Sequence, residues 1–234
     1  MISPVPAPET AGVRLIAAFA LCSLLILGIL ALLIQLEGGI ETAMLVALRR
    51  GVDHPGAGWR VLHEVMDTAT ALGSFPALVI VLAGLAGYFR CIGRGGVAVR
   101  LLVLSAVGMA IGEAVKLGVG RARPQVVPHW QAVGSFSFPS GHTTDGTVVY
   151  LLLALVAAGA APTASSRRFV LYFALALVLL IGCSRMYLGV HWPTDVLGGW
   201  TLGACWAWLV ATKSWLVAPV SSGSTAEIAG GLLR

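Results

Sequence analysis

The chain has 234 residues, of which 58% are hydrophobic and 11% charged, and its mean hydropathy is +0.91. That balance excludes an ordinary soluble domain and a disordered chain, and it points to an integral membrane protein. The formal net charge of +5 does not indicate a nucleic-acid partner, because no basic stripe is interleaved with aromatic residues.

Crossing a hydrocarbon core about 30 Å thick takes about 20 apolar residues in a helix. Residues 15–34, 70–89, 146–162, 169–184 and 196–212 are apolar segments near or above that length, and a sixth, 101–119, carries Glu113 and Lys116 near its end. The expected fold is therefore all-α, a single membrane bundle of six helices covering residues 1–234. The first segment is too long for the core of a removable signal peptide and reads as a permanent span. Residues 1–12 and 218–234, rich in Pro and in Ser and Gly respectively, read as loosely held termini. Between the first two spans, residues 37–68 mix charged and apolar positions, and the stretch 59–70 reads either as an interfacial helix or as a connecting loop. Cys22, Cys91, Cys183 and Cys205 have no metal-ligand spacing and read as small packing residues.

The loops that carry Arg90, Arg94 and Arg100 and then Arg167 and Arg168 contain no acid, as expected of cytoplasmic loops. Arg49, Arg50 and Arg60 fall on the outer side in the same layout, beside Glu37, Glu41, Asp53, Glu64 and Asp67. This places the termini inside.

Three polar islands fall on the opposite, outward side. The first, residues 116–124 (KLGVGRARP), sets Lys116 and Arg123 seven positions apart, about two helical turns, so that both can project toward one point. Guanidinium groups grip phosphate oxygens in pairs, and an ammonium acts as a point charge. Arg121 between them fits a headgroup contact or a snorkelling side chain, and Glu113 lies three positions before Lys116. The second island, Pro139, Ser140, Gly141 and His142, reads as a helix start with Pro139 in the first turn, whose unpartnered N–H groups suit an anion. Taken alone it fits equally a Ser-Gly turn with an N-capping serine. In the third island, residues 184–195, Pro193 starts a helix between His191 and Asp195, so the carboxylate reaches one ring nitrogen and leaves the other free to attack. An interfacial ion pair of Asp195 with His191 or Arg185 is the alternative.

Together the islands resemble the type 2 phosphatidic acid phosphatase family, whose motifs read Lys-x6-Arg-Pro, Pro-Ser-Gly-His and Ser-Arg-x5-His-x3-Asp. Lys116, Arg123 and Pro124 match the first, residues 139–142 the second, and Ser184, Arg185, His191 and Asp195 the third, so the motif region is 116–195. The resemblance implies a phosphatase without metal or cofactor. By it His191 is the nucleophile, Asp195 orients it and His142 is the general acid, while Lys116, Arg123, Ser140, Gly141 and Arg185 hold the phosphoryl oxygens. It further implies a lipid partner in a bacterial cytoplasmic membrane, with the site toward the periplasmic or outer face. The carrier is left open among undecaprenyl diphosphate, phosphatidylglycerol phosphate, phosphatidate and a lipid A phosphate. Two rival readings are a metal site, which the scarcity of carboxylates and the surrounding cations disfavour, and a transporter or anion-binding protein, which does not require a His-Asp pair. The haloperoxidases that share a similar site are soluble, unlike this apolar chain.

Overall fold

The computed structural model describes residues 39–49 and 57–212. The expected first span, both loosely held termini and Cys22 lie outside the described residues. Within them are seven helices: α1 (Ile40–Arg49), α2 (Ala57–Leu72), α3 (Phe75–Cys91), α4 (Gly95–Val119), α5 (Gly141–Ala160), α6 (Ala164–Tyr187) and α7 (Pro193–Thr212). No strand occurs among the described residues, as the apolar periodicity predicts.

Helices α3 to α7 run alternately up and down, α5 packing against α6 and α7 and α4 bridging α3 and α5. The ends of α4 and α6 and the starts of α5 and α7 consequently meet at one end of the bundle. The short connections beside Arg94 and Arg167 lie at the other end. By length and composition α4, α5 and α6 can each cross a membrane, and the bent pair Gly58–Leu72 and Phe75–Cys91 can count as a fourth span. In α7, Asp195, three tryptophans and three glycines dilute the hydropathy.

Two expectations for the first half are corrected. The segment 70–89 is not one rod, since its parts diverge by 56° at Gly73 and Ser74. Pro76 stands in the first turn of α3, and its ring would collide with the carbonyl four residues back in a continuous helix. The region 37–68 also contains α1, a helix with no counterpart in the sequence reading.

Between helices in lipid the hydrophobic effect gives little attraction, so close approach of small residues and hydrogen bonds matter more. The α5–α7 contact follows this rule: a Cβ on Gly199 would lie 2.9 Å from Thr143 Cβ, and one on Gly203 2.6 Å from Thr147 Cβ. Trp206 Nε1 donates to Leu104 O at 2.9 Å and Trp200 Nε1 to Val178 O at 3.0 Å, tying α7 to α4 and α6. Leu78, Leu101, Val148, Val149, Leu152 and Val210 form the buried apolar centre. The perimeter is apolar too: Ile80, Val103, Leu117, Phe169 and Tyr172 are exposed, as lipid-facing residues are. Cys91 and Cys183 are also exposed, not packed inside.

Candidate active site

The site is assembled from four helix ends and one long loop. Helix α4 stops at Gly120, which takes the left-handed conformation (φ 63°) that glycine adopts without strain. Lys116 therefore stays on the last turn, while Arg123 lies beyond the helix and reaches the same cavity along the loop. The spacing of two turns brings the pair together, but by a different path from the continuous helix expected.

A cavity of about 480 Å³ opens here, lined by Lys116, Arg123, Gly141, His142, Arg185 and His191 together with residues 131–135 of the loop. Six of the eight predicted site residues thus face one space. Lys116 Nζ is 3.5 Å from Glu113, and it lies 3.0 Å from where a Cβ on Gly141 would stand, so the absent side chain lets the ammonium sit close to the start of α5. Arg185 donates to Thr70 Oγ1 and Gln131 Oε1, each at 2.6 Å.

His191 is 2% exposed, with its two nitrogens in different settings. Nδ1 faces Asp195 Oδ2 at 3.4 Å, and Nε2 lies 3.0 Å from Arg123 Nη1 on the cavity side. A guanidinium only donates, so Nε2 accepts and the proton resides on Nδ1, directed at the carboxylate. Burial pushes the His191 imidazole down to about 4, against the opposing pull of Asp195, with Arg185 and Arg123 adding to the depression. The ring is therefore neutral at physiological pH, with a lone pair facing the cavity. Burial likewise lowers the Arg123 guanidinium from its usual value, opposed by Asp195.

Asp195, at the start of α7 and fully buried, does not line the cavity but stands behind His191. Its Oδ2 accepts a short hydrogen bond from Ser137 Oγ and one from the Trp192 N–H at 2.8 Å. Its Oδ1 accepts from Arg121 Nη1 at 2.8 Å. Arg121 is therefore no snorkelling side chain; it is buried against the Asp195 carboxylate, which partners its charge in place of water. Ser140 also sits behind the wall, its N–H donating to the Asp195 carbonyl at 3.0 Å and its hydroxyl accepting from Thr143 at 2.9 Å. Pro139 precedes this cap rather than entering the helix, which begins at Gly141.

Sequence reasoning missed Ser137, the loop residues 131–135 and the role of Arg121. Only Arg121 carried a signal, as an arginine in a short polar island of an apolar chain. Among the described residues no group of three His, Cys, Asp or Glu side chains is disposed to hold a metal ion. The cavity wall is made of cationic donors, which suit a phosphate.

Similarity to known proteins extends over these residues. The sequence pattern of the PAP2 superfamily matches residues 97–217. Phosphatidylglycerophosphatase B of Bacillus subtilis is 34% identical over 154 residues, 64% of this chain and 73% of the relative. An undecaprenyl-diphosphatase of Sulfolobus acidocaldarius is 28% identical over 46% of this chain and 50% of its own. The crystal structure of a transmembrane PAP2 type phosphatidylglycerolphosphate phosphatase from Bacillus subtilis superposes with a TM-score of 0.67 at 26% identity, over 89% of this chain and 98% of that one.

Proposed function

The chain belongs to the PAP2 superfamily, and from that premise we propose that it is a metal-independent membrane lipid phosphatase working through a phosphohistidine. The observation that carries this reading is the placement of His191, whose Nε2 faces a cavity ringed by Lys116, Arg123 and Arg185 while Nδ1 is backed by Asp195. The cations receive the phosphoryl oxygens, joined by the first N–H groups of α5 at Gly141 and His142, which lack partners inside the helix. Ser140 supports this helix start from behind.

As substrate binds, Arg123 exchanges Nε2 of His191 for a phosphoryl oxygen. The Nε2 lone pair forms the N–P bond as the P–O bond to the carrier breaks, and His142 gives its proton to the leaving oxygen. The neighbouring Asp195 carboxylate offsets the positive charge that develops on the imidazole. Water deprotonated by His142 then forms a new P–O bond, the N–P bond breaks back to Nε2, and inorganic phosphate leaves. Stabilisation of the equatorial oxygens by fixed charges supplies most of the acceleration in such transfers.

The substrate is an amphipathic phosphate ester whose tail stays in the bilayer. The chain is an integral membrane protein, for which six spans are proposed by adding residues 15–34 and 196–212 to the four candidate spans. The arginines at the far end of the bundle support an outward-facing site in the cytoplasmic membrane of a bacterium. That side favours undecaprenyl diphosphate over phosphatidylglycerol phosphate, phosphatidate or a lipid A phosphate.

Phosphate release from those four lipids in micelles with excess chelator, with and without His191→Ala, tests the reading. Release that survives chelation and vanishes in the variant supports it. No release from any lipid by the natural protein would favour an anion-binding or transport role, and phosphatidate turned over far faster than undecaprenyl diphosphate would remove the preference for the isoprenoid.

A further inference from the structure

Helix α1 lies outside the residues that match the superfamily, yet one of its side chains reaches the catalytic centre. Glu41 Oε2 accepts from Arg121 Nη2 at 2.7 Å, and the Nη1 arm of the same guanidinium holds Asp195 Oδ1 at 2.8 Å. Glu41 Oε1 accepts from the N–H of Thr194 at 2.9 Å and from its hydroxyl at 2.6 Å, and Arg121 Nη1 closes the ring on Thr194 Oγ1 at 2.6 Å. The side chains of Glu41, Arg121 and Asp195 are 13%, 6% and 0% exposed, so water screens these charges little.

Arg121 by itself would work against the nucleophile. A full positive charge on Oδ1 draws the carboxylate's charge away from His191, which must become cationic as it takes the phosphoryl group. Arg123 and Arg185 already act on that imidazole as cations. Glu41 on the opposite arm shares that guanidinium, so less of its charge is set against Asp195 and more of the carboxylate's charge is left to face His191. The same carboxylate satisfies the Thr194 N–H, a first-turn donor of α7 without a partner inside the helix, and so fixes the helix that carries Asp195.

We propose that Glu41 and Arg121 are positioning residues that hold Asp195 in place behind His191 without neutralising it, making α1 a working part of the active site. The inference rests on the phosphatase reading above. Neither residue touches substrate, so both act on the rate of attack more than on binding.

The test is steady-state kinetics of purified Glu41→Gln, Arg121→Met and the double variant on the fastest lipid, with thermal unfolding of each. Glutamine keeps the shape of Glu41 but removes its charge and sets an amide donor against either Arg121 or the Thr194 N–H. By analogy with the outer partners of metal-bound histidines, whose loss costs about 10- to 100-fold, a comparable effect on rate is expected here. The expected result is a fall of about that size in kcat with KM little changed, part of it restored by Glu41→Asp. In the Arg121→Met background Glu41→Gln should have a much smaller effect than alone. Unchanged kcat, a loss that follows the fraction unfolded, or independent effects of the two substitutions would overturn the proposal. Should Glu41→Gln fail to fold, Glu41→Asp, one methylene shorter, takes its place with a smaller fall in kcat expected, and an unchanged kcat in it overturns the proposal. A natural protein that hydrolyses no lipid phosphate would bring down the phosphatase reading and this relay with it, whereas an active natural protein with a fully active Glu41→Gln sinks the relay alone.

Discussion

The cavity end of the bundle and the end away from it are built from different materials. Away from the cavity Leu78, Leu101, Val148, Val149, Leu152 and Val210 fill an apolar centre. At the cavity Ser137, Ser140, Thr143, Thr144, Arg185, His191, Thr194 and Asp195 are buried together. Buried ionic clusters add little net stability, since desolvation offsets much of their attraction, but they impose direction. The result is a division of labour, in which the apolar end holds the helices together and the hydrogen bonds of the polar end converge on Asp195 and His191.

Substitutions at the two ends should therefore separate folding from turnover. The largest effect belongs to His191→Ala, expected to lower kcat by about 10⁴-fold or more, as loss of a covalent nucleophile does, with little change in thermal unfolding. Comparable loss of folded protein would show that the polar end is structural after all. Leu152→Ala should do the reverse, lowering stability by about 2–5 kcal/mol through an unfilled space while the folded fraction keeps its kcat; chemical denaturation beside activity checks both halves. Arg123→Lys keeps a charge and loses the paired grip, and kcat/KM should fall by about 10- to 100-fold. Unaltered kinetics there would remove Arg123 from the phosphate site.

The smallest effect is in the pH profile. Protonation of His191 removes the attacking lone pair, so the acid limb of kcat/KM, corrected for the substrate's own ionisation, should lie near pH 4. An acid limb near the ordinary histidine value would mean that the imidazole is solvated.

How much of this was legible in the sequence differs between the ends in the same way. Helices α4 to α7 appear where the apolar segments predicted them, since hydropathy is a local property, and α5 and α7 begin at Gly141 and Pro193, inside the polar islands that read as helix starts. Lys116, Arg123, His142, Arg185, His191 and Asp195 were legible because each stands in a short polar island at fixed spacing. The partners behind them were not: Glu41 meets Thr194 across 153 positions, and Ser137 meets Asp195 across 58. No periodicity encodes such contacts. The Ser140 N–H, which a helix start would leave open to a phosphate, instead donates to the Asp195 carbonyl, again a contact between distant parts of the chain. The bend at Gly73 was hidden by apolar residues on both sides of Pro76.

The central claim is that His191 carries the phosphoryl group. The most direct measurement is rapid quenching of the natural protein, His142→Ala and His191→Ala with a lipid labelled in its phosphate. The natural protein should carry an acid-labile, base-stable label, His142→Ala should form it more slowly and lose it more slowly, and His191→Ala should carry none. Phosphate release by the natural protein with no label on any variant, or label that persists in His191→Ala, would contradict it.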